Sequence, residues 1–246
     1  MCLCSLSRRA QRREFRRVSG GPLGQALNLG LSDGDQVRVE VWRLEAEEVE
    51  AKLAGGSVLI DLRPPLAFAC EHIEGSVNLQ FSHADLADRA DLVLPSDISV
   101  IMCAGTDATA RSGAEILSVA GLGVDGFLGG GLSEWVRAGR ACTSTPVISV
   151  DDLNASNGEF QVIDARESYE YRYGHISGAR LLSSMEAWQR VEDLPPTGRY
   201  AVVCGEQVRS SLVASILRRA GRDALVVGGG MADWLERGFP VEKAGY

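Results

Sequence analysis

The sequence predicts an α/β chain of two tandem domains, each a small parallel β-sheet flanked by helices on both faces. Three observations predict it. Asp61-Leu-Arg63 and His72-Ile-Glu-Gly75 recur as Asp164-Ala-Arg166 and His175-Ile-Ser-Gly178, all offset by 103 residues. Ala120-Gly121 recurs as Ala220-Gly221 at an offset of 100; Gly129-Gly130-Gly131, Trp135 and Gly139 recur as Gly228-Gly229-Gly230, Trp234 and Gly238 at an offset of 99. Short apolar runs alternate with amphipathic segments in both halves, as in parallel strands joined by right-handed helical crossovers. A period this long is a duplicated domain, because solenoid units run to roughly 20–50 residues.

Taken in order, residues 1–37 form an arginine-rich tail followed by an irregular lead-in of Gly, Ser and Asp. The first domain, residues 38–140, opens with a short strand read from Val37 to Leu44 and an amphipathic helix over Glu45–Leu53. Ser57–Leu62 is a buried strand, bounded by Gly-Gly before it and Pro64-Pro65 after it. Ser99–Cys103 is a second buried strand, and Thr109–Ala120 a helix closed by Gly121. Val124–Leu128 is a third strand, the three glycines turn the chain, and Leu132–Ala138 is a helix. The linker, residues 141–147, lies in a small, polar run. The second domain, residues 148–246, repeats the plan. Phe160–Ala165 and Tyr200–Cys204 are buried strands, Ser210–Ala220 a helix, Ala224–Val227 a strand and Met231–Arg237 a helix.

With 246 residues and 45% hydrophobic content, the chain is expected to bury two separate cores, one per repeat. The net charge of −8 divides unevenly: residues 1–20 carry +5 and the remainder −13. An acidic body is a poor match for phosphate backbones, so no nucleic-acid partner is expected. No apolar run approaches the roughly 20 residues of a membrane span, and no membrane partner is expected. Six cysteines without a CxxC pair argue against a disulfide framework or a zinc site. Reduced thiols in the cytoplasm, with neither metal nor cofactor, are the simpler expectation. The arginine pairs of the tail would form a stripe on a helix, suited to targeting or an anionic surface, but disorder is the favoured reading.

Cys204 carries the chemistry. It stands where a buried strand ends and a helix is about to begin, the place where parallel α/β sheets bind ligands. The following turn and the positive end of the helix dipole both stabilise a thiolate there. The loop Gly205, Glu206, Gln207 and Val208 is short enough to turn its N–H groups toward the sulfur and make an anion cradle. Arg209 adds a permanent charge with a planar fork of donors, and Ser210 follows it. Such a site suits a nucleophile that takes a sulfur atom, or a charged group, from an anionic donor.

The Asp-x-Arg…His-Ile-x-Gly block, the Cys-x₄-Arg-Ser loop and the Gly-Gly-x-x-x-Trp ending together resemble the rhodanese family of sulfurtransferases over roughly residues 38–242. The resemblance implies a tandem of rhodanese-like domains with an inactive N-terminal copy and an active C-terminal one. It implies that Cys204 cycles through a persulfide and that Gly205, Glu206, Gln207, Val208, Arg209 and Ser210 hold the persulfide and the donor. It further implies that Asp164 and Arg166 form a salt bridge bracing the loop. The expected partners are a small sulfur donor, such as thiosulfate or 3-mercaptopyruvate, and a thiol or cyanide acceptor; a protein is a further candidate acceptor. Glu206 is expected to weaken binding of a small dianion. The similar phosphatases and arsenate reductases use a longer Cys-x₅-Arg ring, which ranks their chemistry below sulfur transfer. A non-catalytic binding or regulatory module is the rival reading.

In the first repeat seven residues separate Cys103 from Arg111. This reads as a lengthened loop, and Asp107 within it opposes both thiolate and anion. Cys103 is therefore a second candidate thiol of weak or vestigial character. His72 and His175 are read as backbone braces rather than bases, His83 as a surface residue, and Trp135 and Trp234 as packing. The glycine runs lack the Lys-Ser/Thr of a phosphate loop and read as turns needing positive φ.

Overall fold

The computed structural model describes residues 40–156 and 158–243. The arginine-rich tail, the lead-in and the beginning of the strand expected from Val37 lie outside the described residues.

Each half is a five-stranded, wholly parallel sheet. In the first, β1 (Arg43–Leu44), β2 (Val58–Asp61), β3 (Val77–Asn78), β4 (Ser99–Cys103) and β5 (Gly123–Leu128) are ordered β1-β5-β4-β2-β3. In the second, β6 (Val147–Ile148), β7 (Gln161–Asp164), β8 (Arg180–Leu181), β9 (Arg199–Val203) and β10 (Asp223–Val227) are ordered β6-β10-β9-β7-β8. All four residues of β2 are buried, and so are the last four of β9. Helices on both faces of the sheets account for strands that read as continuous apolar runs rather than alternating ones.

The helices of the first half are α1 (Ala46–Ala54), α2 (Pro65–Cys70), α3 (Leu86–Val93), α4 (Asp107–Val119) and α5 (Gly131–Arg137). Those of the second are α6 (Val150–Ala155), α7 (Ser168–Tyr173), α8 (Ala187–Arg190), α9 (Val208–Arg219) and α10 (Gly230–Glu236). Both central helices start two residues before their expected positions. In α4 the reason is Thr106, whose hydroxyl accepts the Thr109 N–H at 3.2 Å and so caps the helix early. In α9 the early start places Arg209 in the first helical turn instead of in the loop.

The expectation of two separate cores is corrected. One outer cluster belongs to each domain, around Val49, Leu59 and Trp135 in the first and around Leu153, Val203 and Trp234 in the second. The inner faces share a single cluster in which Ile60, Leu79, Met102 and Leu117 join Val202, Leu212, Val213 and Leu217. Helix α9 lies in this shared layer, and every residue from Ser210 to Leu217 is buried. Each large aliphatic side chain so covered contributes about 1.5–3 kcal/mol. Polar contacts fix the docking: the Ser211 hydroxyl donates to Asn78 Oδ1 at 2.7 Å, and the Asn78 N–H donates to Ser215 Oγ at 3.0 Å. Small serines on this face let the helix approach β3 while giving Asn78 partners in a dry interface.

Candidate functional site

Cys204 follows the last residue of β9 and is 1% exposed. Its thiol donates to Ser210 Oγ at 3.4 Å, and the Ser210 hydroxyl donates in turn to the Gln207 carbonyl at 3.1 Å. Gly205, Glu206 and Gln207 carry the chain across to α9. The carbonyls of Cys204 and Gly205 accept from the N–H groups of Met231 and Ala232, at 2.7 and 3.2 Å, in the first turn of α10. The N–H groups of Gly205 through Ser210 find no protein acceptor among the described residues. The loop therefore has the carbonyls of Cys204, Gly205 and Gln207 satisfied and a run of uncommitted donors, the kind of segment that binds anions at a helix N-terminus.

Gly230 makes that arrangement attainable. Its φ is 60°, and a Cβ there would lie 2.4 Å from the Cys204 carbonyl oxygen, 2.6 Å from that of Glu206 and 2.8 Å from that of Gly205. A Gly230→Ala protein is expected to lose about 3 kcal/mol or more of second-domain stability, through overlap with three backbone atoms and a left-handed residue. Urea unfolding with tryptophan emission checks this; an unchanged midpoint refutes the close approach.

Arg209 departs from its expected role. Both of its terminal nitrogens bond the Glu170 carboxylate, one at 2.9 Å and the other closer. Glu170 also accepts the Glu167 N–H at 3.0 Å. The Arg209 hydrogen bond, with lesser help from that N–H, holds the Glu170 carboxyl below the usual carboxylate range. The cation assigned to the donor anion is thus neutralised by a carboxylate on α7. It still borders the loop, since a Cβ on Gly205 would lie 3.4 Å from Arg209 Nη2. Glu206 and Val208 are exposed, Gln207 is half-buried and Ser210 fully buried. Beside the loop, between the domains, opens a mainly apolar cavity of about 180 Å³. Val208, Arg209 and Leu212 line it from the second domain, Leu79 and Leu92 from the first.

The Asp164–Arg166 pair is buried and forked, with Arg166 Nε 3.0 Å from Asp164 Oδ1 and Arg166 Nη2 2.7 Å from Oδ2. Arg166 also donates to the Gly174 carbonyl at 2.8 Å, which ties the end of β7 to the end of α7. Asp61 and Arg63 form the same fork in the first domain and hold the Glu71 carbonyl at 2.8 Å. The pair braces α7, and α7 in turn presents Glu170 to Arg209. The histidines act as braces: His175 stacks on Tyr171 at 3.7 Å with Nδ1 2.9 Å from the Tyr171 carbonyl oxygen, and His72 does the same with Phe68. Trp135 and Trp234 are buried and donate to the carbonyls of Ala141 and Pro240. His83 is exposed.

The pairing of Cys103 with Cys204 is overturned by the register. Asp61 lies opposite Cys103, but its counterpart Asp164 lies opposite Val203. The Leu62 N–H bonds the Cys103 carbonyl at 2.8 Å, and the Ala165 N–H bonds that of Val203 at the same distance. Gly131 crowds the Ala104 carbonyl as Gly230 crowds that of Cys204. Ala104, not Cys103, therefore occupies the place of Cys204. One residue's shift turns a strand side chain to the other face. Cys103 accordingly packs with Leu44, Leu59 and Trp135 in the outer cluster. Burial, followed by the Asp61 charge, raises its thiol pKa well above the ordinary value. The lengthened loop is corrected as well: α4 begins only three residues beyond Ala104, and Thr106 already serves the Thr109 amide of its first turn. Asp107 accepts from Gly130 N–H at 2.7 Å, and Arg111 lies over the Phe127 ring at 5.0 Å.

Glu170 was the residue that sequence comparison missed. The Glu167–Glu170 spacing of a capping box was legible, but the position 103 residues earlier is Ala67, so the repeat concealed it. Among the described residues, no cluster of three or more His, Cys, Asp or Glu is placed to hold a metal, and no helix is long and apolar enough to cross a membrane.

The site lies on a fold whose family is shown by sequence. The chain belongs to the rhodanese-like domain family, which it matches twice, over residues 45–138 and 149–237. It is similar to HTH-type transcriptional regulator Rv0324 of Mycobacterium tuberculosis, 32% identical over 94 residues, covering 35% of this chain and 39% of that protein. It is also similar to the uncharacterized protein YqhL of Bacillus subtilis, 30% identical over 88 residues, covering 35% of this chain and 70% of the relative. The chain thus spans about two fifths of the regulator's length. Among solved structures, a rhodanese-related protein from Thermoplasma volcanium is 29% identical with a TM-score of 0.39, covering 39% of this chain and 97% of its own. A thiosulfate sulfurtransferase from Pseudomonas aeruginosa is 20% identical with a TM-score of 0.37, covering 83% and 44%.

Proposed function

We propose that the second domain is a sulfurtransferase that carries sulfur as a persulfide on Cys204. The observation that supports this best is a lone thiol at the end of β9, followed by six consecutive N–H groups without protein acceptors. With thiosulfate as donor, the Cys204 thiolate attacks the outer sulfur and the S–S bond to the sulfonate breaks. Sulfite leaves with the bonding pair, and Cys204 keeps a terminal sulfur bearing the negative charge. The loop amides then stabilise that charge as they stabilise other anions. In the second step a thiol or cyanide attacks the terminal sulfur and restores the thiolate, a two-step course of nucleophilic catalysis. A protein thiol fits the same step, and the apolar cavity beside the loop offers it a surface.

The first domain, with Ala104 at the equivalent position, is proposed to act as a non-catalytic half that supplies one wall of that cavity. Because Cys204 is buried, the donor reaches it when the loop loosens, and the Arg209–Glu170 pair borders that loop. That pairing also favours the second reading, a binding or regulatory module whose arginine is structural.

Intact-protein mass spectrometry separates the two. Incubation with thiosulfate is expected to add one sulfur atom to the Cys204 peptide, removable by cyanide. No gain with thiosulfate, 3-mercaptopyruvate or a persulfide donor favours the binding module.

A further inference from the structure

A second cavity, of ≈ 280 Å³, lies between the domains near the opposite end of α9 from the active loop. The twelve residues of that helix separate the two regions by about 18 Å. Arg218, Arg219 and Arg222 line it together with Ser76, Glu74 and Asp223. Three guanidinium groups around one cavity are unusual in a body that is otherwise strongly acidic.

Their partners leave donors to spare. Arg218 donates to the Ala224 carbonyl at 3.2 Å and Arg219 to the Gly75 carbonyl at 2.8 Å, each through Nη1. Among the described residues neither has a carboxylate within ion-pair distance. Arg222 is buried; its terminal nitrogens bond Glu192 and the carbonyls of Ala220 and Leu194. Its Nε is buried with no acceptor at all. An arginine carries five N–H donors, so Arg218 and Arg219 each keep donors free for a ligand.

The carboxylates cancel only part of this charge, that of Arg222. Glu192 is committed to Arg222, and Asp223 to Arg199 at 3.2 Å. Glu74 is exposed. His72 also lines the cavity, with Nδ1 on the Phe68 carbonyl. Burial lowers its pKa, which keeps the ring neutral and leaves the arginines to set the field. Favourable interaction with the C-terminal end of the helix dipole accounts for cations in the last turn. It does not account for their convergence on one cavity across the domain boundary.

We infer that this cleft is an anion site for the phosphate or sulfate group of a small molecule, held by Arg218 and Arg219. The volume exceeds a bare oxyanion, and the rim carboxylates Glu74 and Asp223 are placed to accept from hydroxyl groups on the rest of the ligand. The site is separate from sulfur transfer at Cys204.

The test uses full-length Cys204→Ser protein, so that sulfur chemistry plays no part. Calorimetric titration at fixed ionic strength with inorganic phosphate, and separately with glucose 6-phosphate, is expected to show saturable 1:1 binding of at least one of them. Tighter binding of the sugar phosphate assigns the extra volume to the carrier; equal binding assigns the site to the oxyanion alone. Either result supports the site only if the double substitution Arg218→Gln, Arg219→Gln weakens binding by about tenfold or more, the effect of losing a charge-assisted hydrogen bond. Arg209→Gln, at the active loop, is expected to leave the affinity within about twofold. Arg219→Lys, which keeps the charge and loses the fork, is expected to fall between the parent and the double variant. Melting curves confirm that each variant is folded. Absence of saturable binding, an unchanged affinity in the folded double variant, or loss of binding on Arg209→Gln would overturn the inference.

Discussion

A Cys204→Ser protein is expected to take up no sulfur from thiosulfate and to lose at least about a thousandfold in thiocyanate formation with cyanide as acceptor. A hydroxyl is isosteric enough to keep the hydrogen bond to Ser210, so the fold should survive and the loss should lie in chemistry alone. Cys103→Val is the matched comparison. Its side chain points into the outer cluster beside Leu59 and Ile101, so an apolar replacement of similar size is expected to leave turnover within about twofold, because volume-conserving core exchanges are tolerated. Uptake of sulfur by the Cys204→Ser protein at Cys103 would sink the assignment of the two domains. Equal loss in both variants would show that the measured activity depends on core packing.

Asp164→Asn is expected to destabilise the protein by about 3–5 kcal/mol, because it leaves the Arg166 cation buried without its counter-charge. Asp164 is 0% and Arg166 7% exposed, so water cannot replace the lost partner. The effect should be visible as a fall in the denaturation midpoint at unchanged slope. Replacing both residues by apolar ones of similar volume should cost less than the single change, since no orphaned charge remains. A second consequence is positional. Arg166 also holds the Gly174 carbonyl at the end of α7, and α7 carries Glu170. Loosening that end is expected to free Arg209 and increase the rate at which Cys204 is alkylated, even where the domain remains folded. An unchanged midpoint in the single variant would contradict the buried ion pair.

The strands and the duplication were legible because parallel strands covered on both faces leave unbroken apolar runs, and because Asp-x-Arg, His-Ile-x-Gly and the triple glycines repeat at nearly constant offsets. The same regularity misled at one place. Offsets of 103, 100 and 99 bracket the two cysteines, and Cys103 to Cys204 is 101, so the cysteines looked equivalent. Only the strand register shows that the offset has already fallen to 100 at the end of β4, which makes Ala104 the counterpart of Cys204. A single-residue slip is small along the chain but reverses the face of a strand. The shared inner core was equally hidden, because interior apolar residues look alike whether they meet their own sheet's helix or the other domain's. Glu170 escaped because its role depends on a partner 39 residues away.

The burial of α9 bears on how far the two domains can be separated. The helix that follows Cys204 packs against the first domain's β3 and inner core as well as against its own sheet. A chain that discarded the first domain would strip Leu212, Ser211 and Ser215 of their partners and expose apolar surface directly behind the Cys204 loop. Any constraint on the fold of the second half therefore extends to the interior of the first. Duplication here has produced two halves that share one interior and are expected to unfold together.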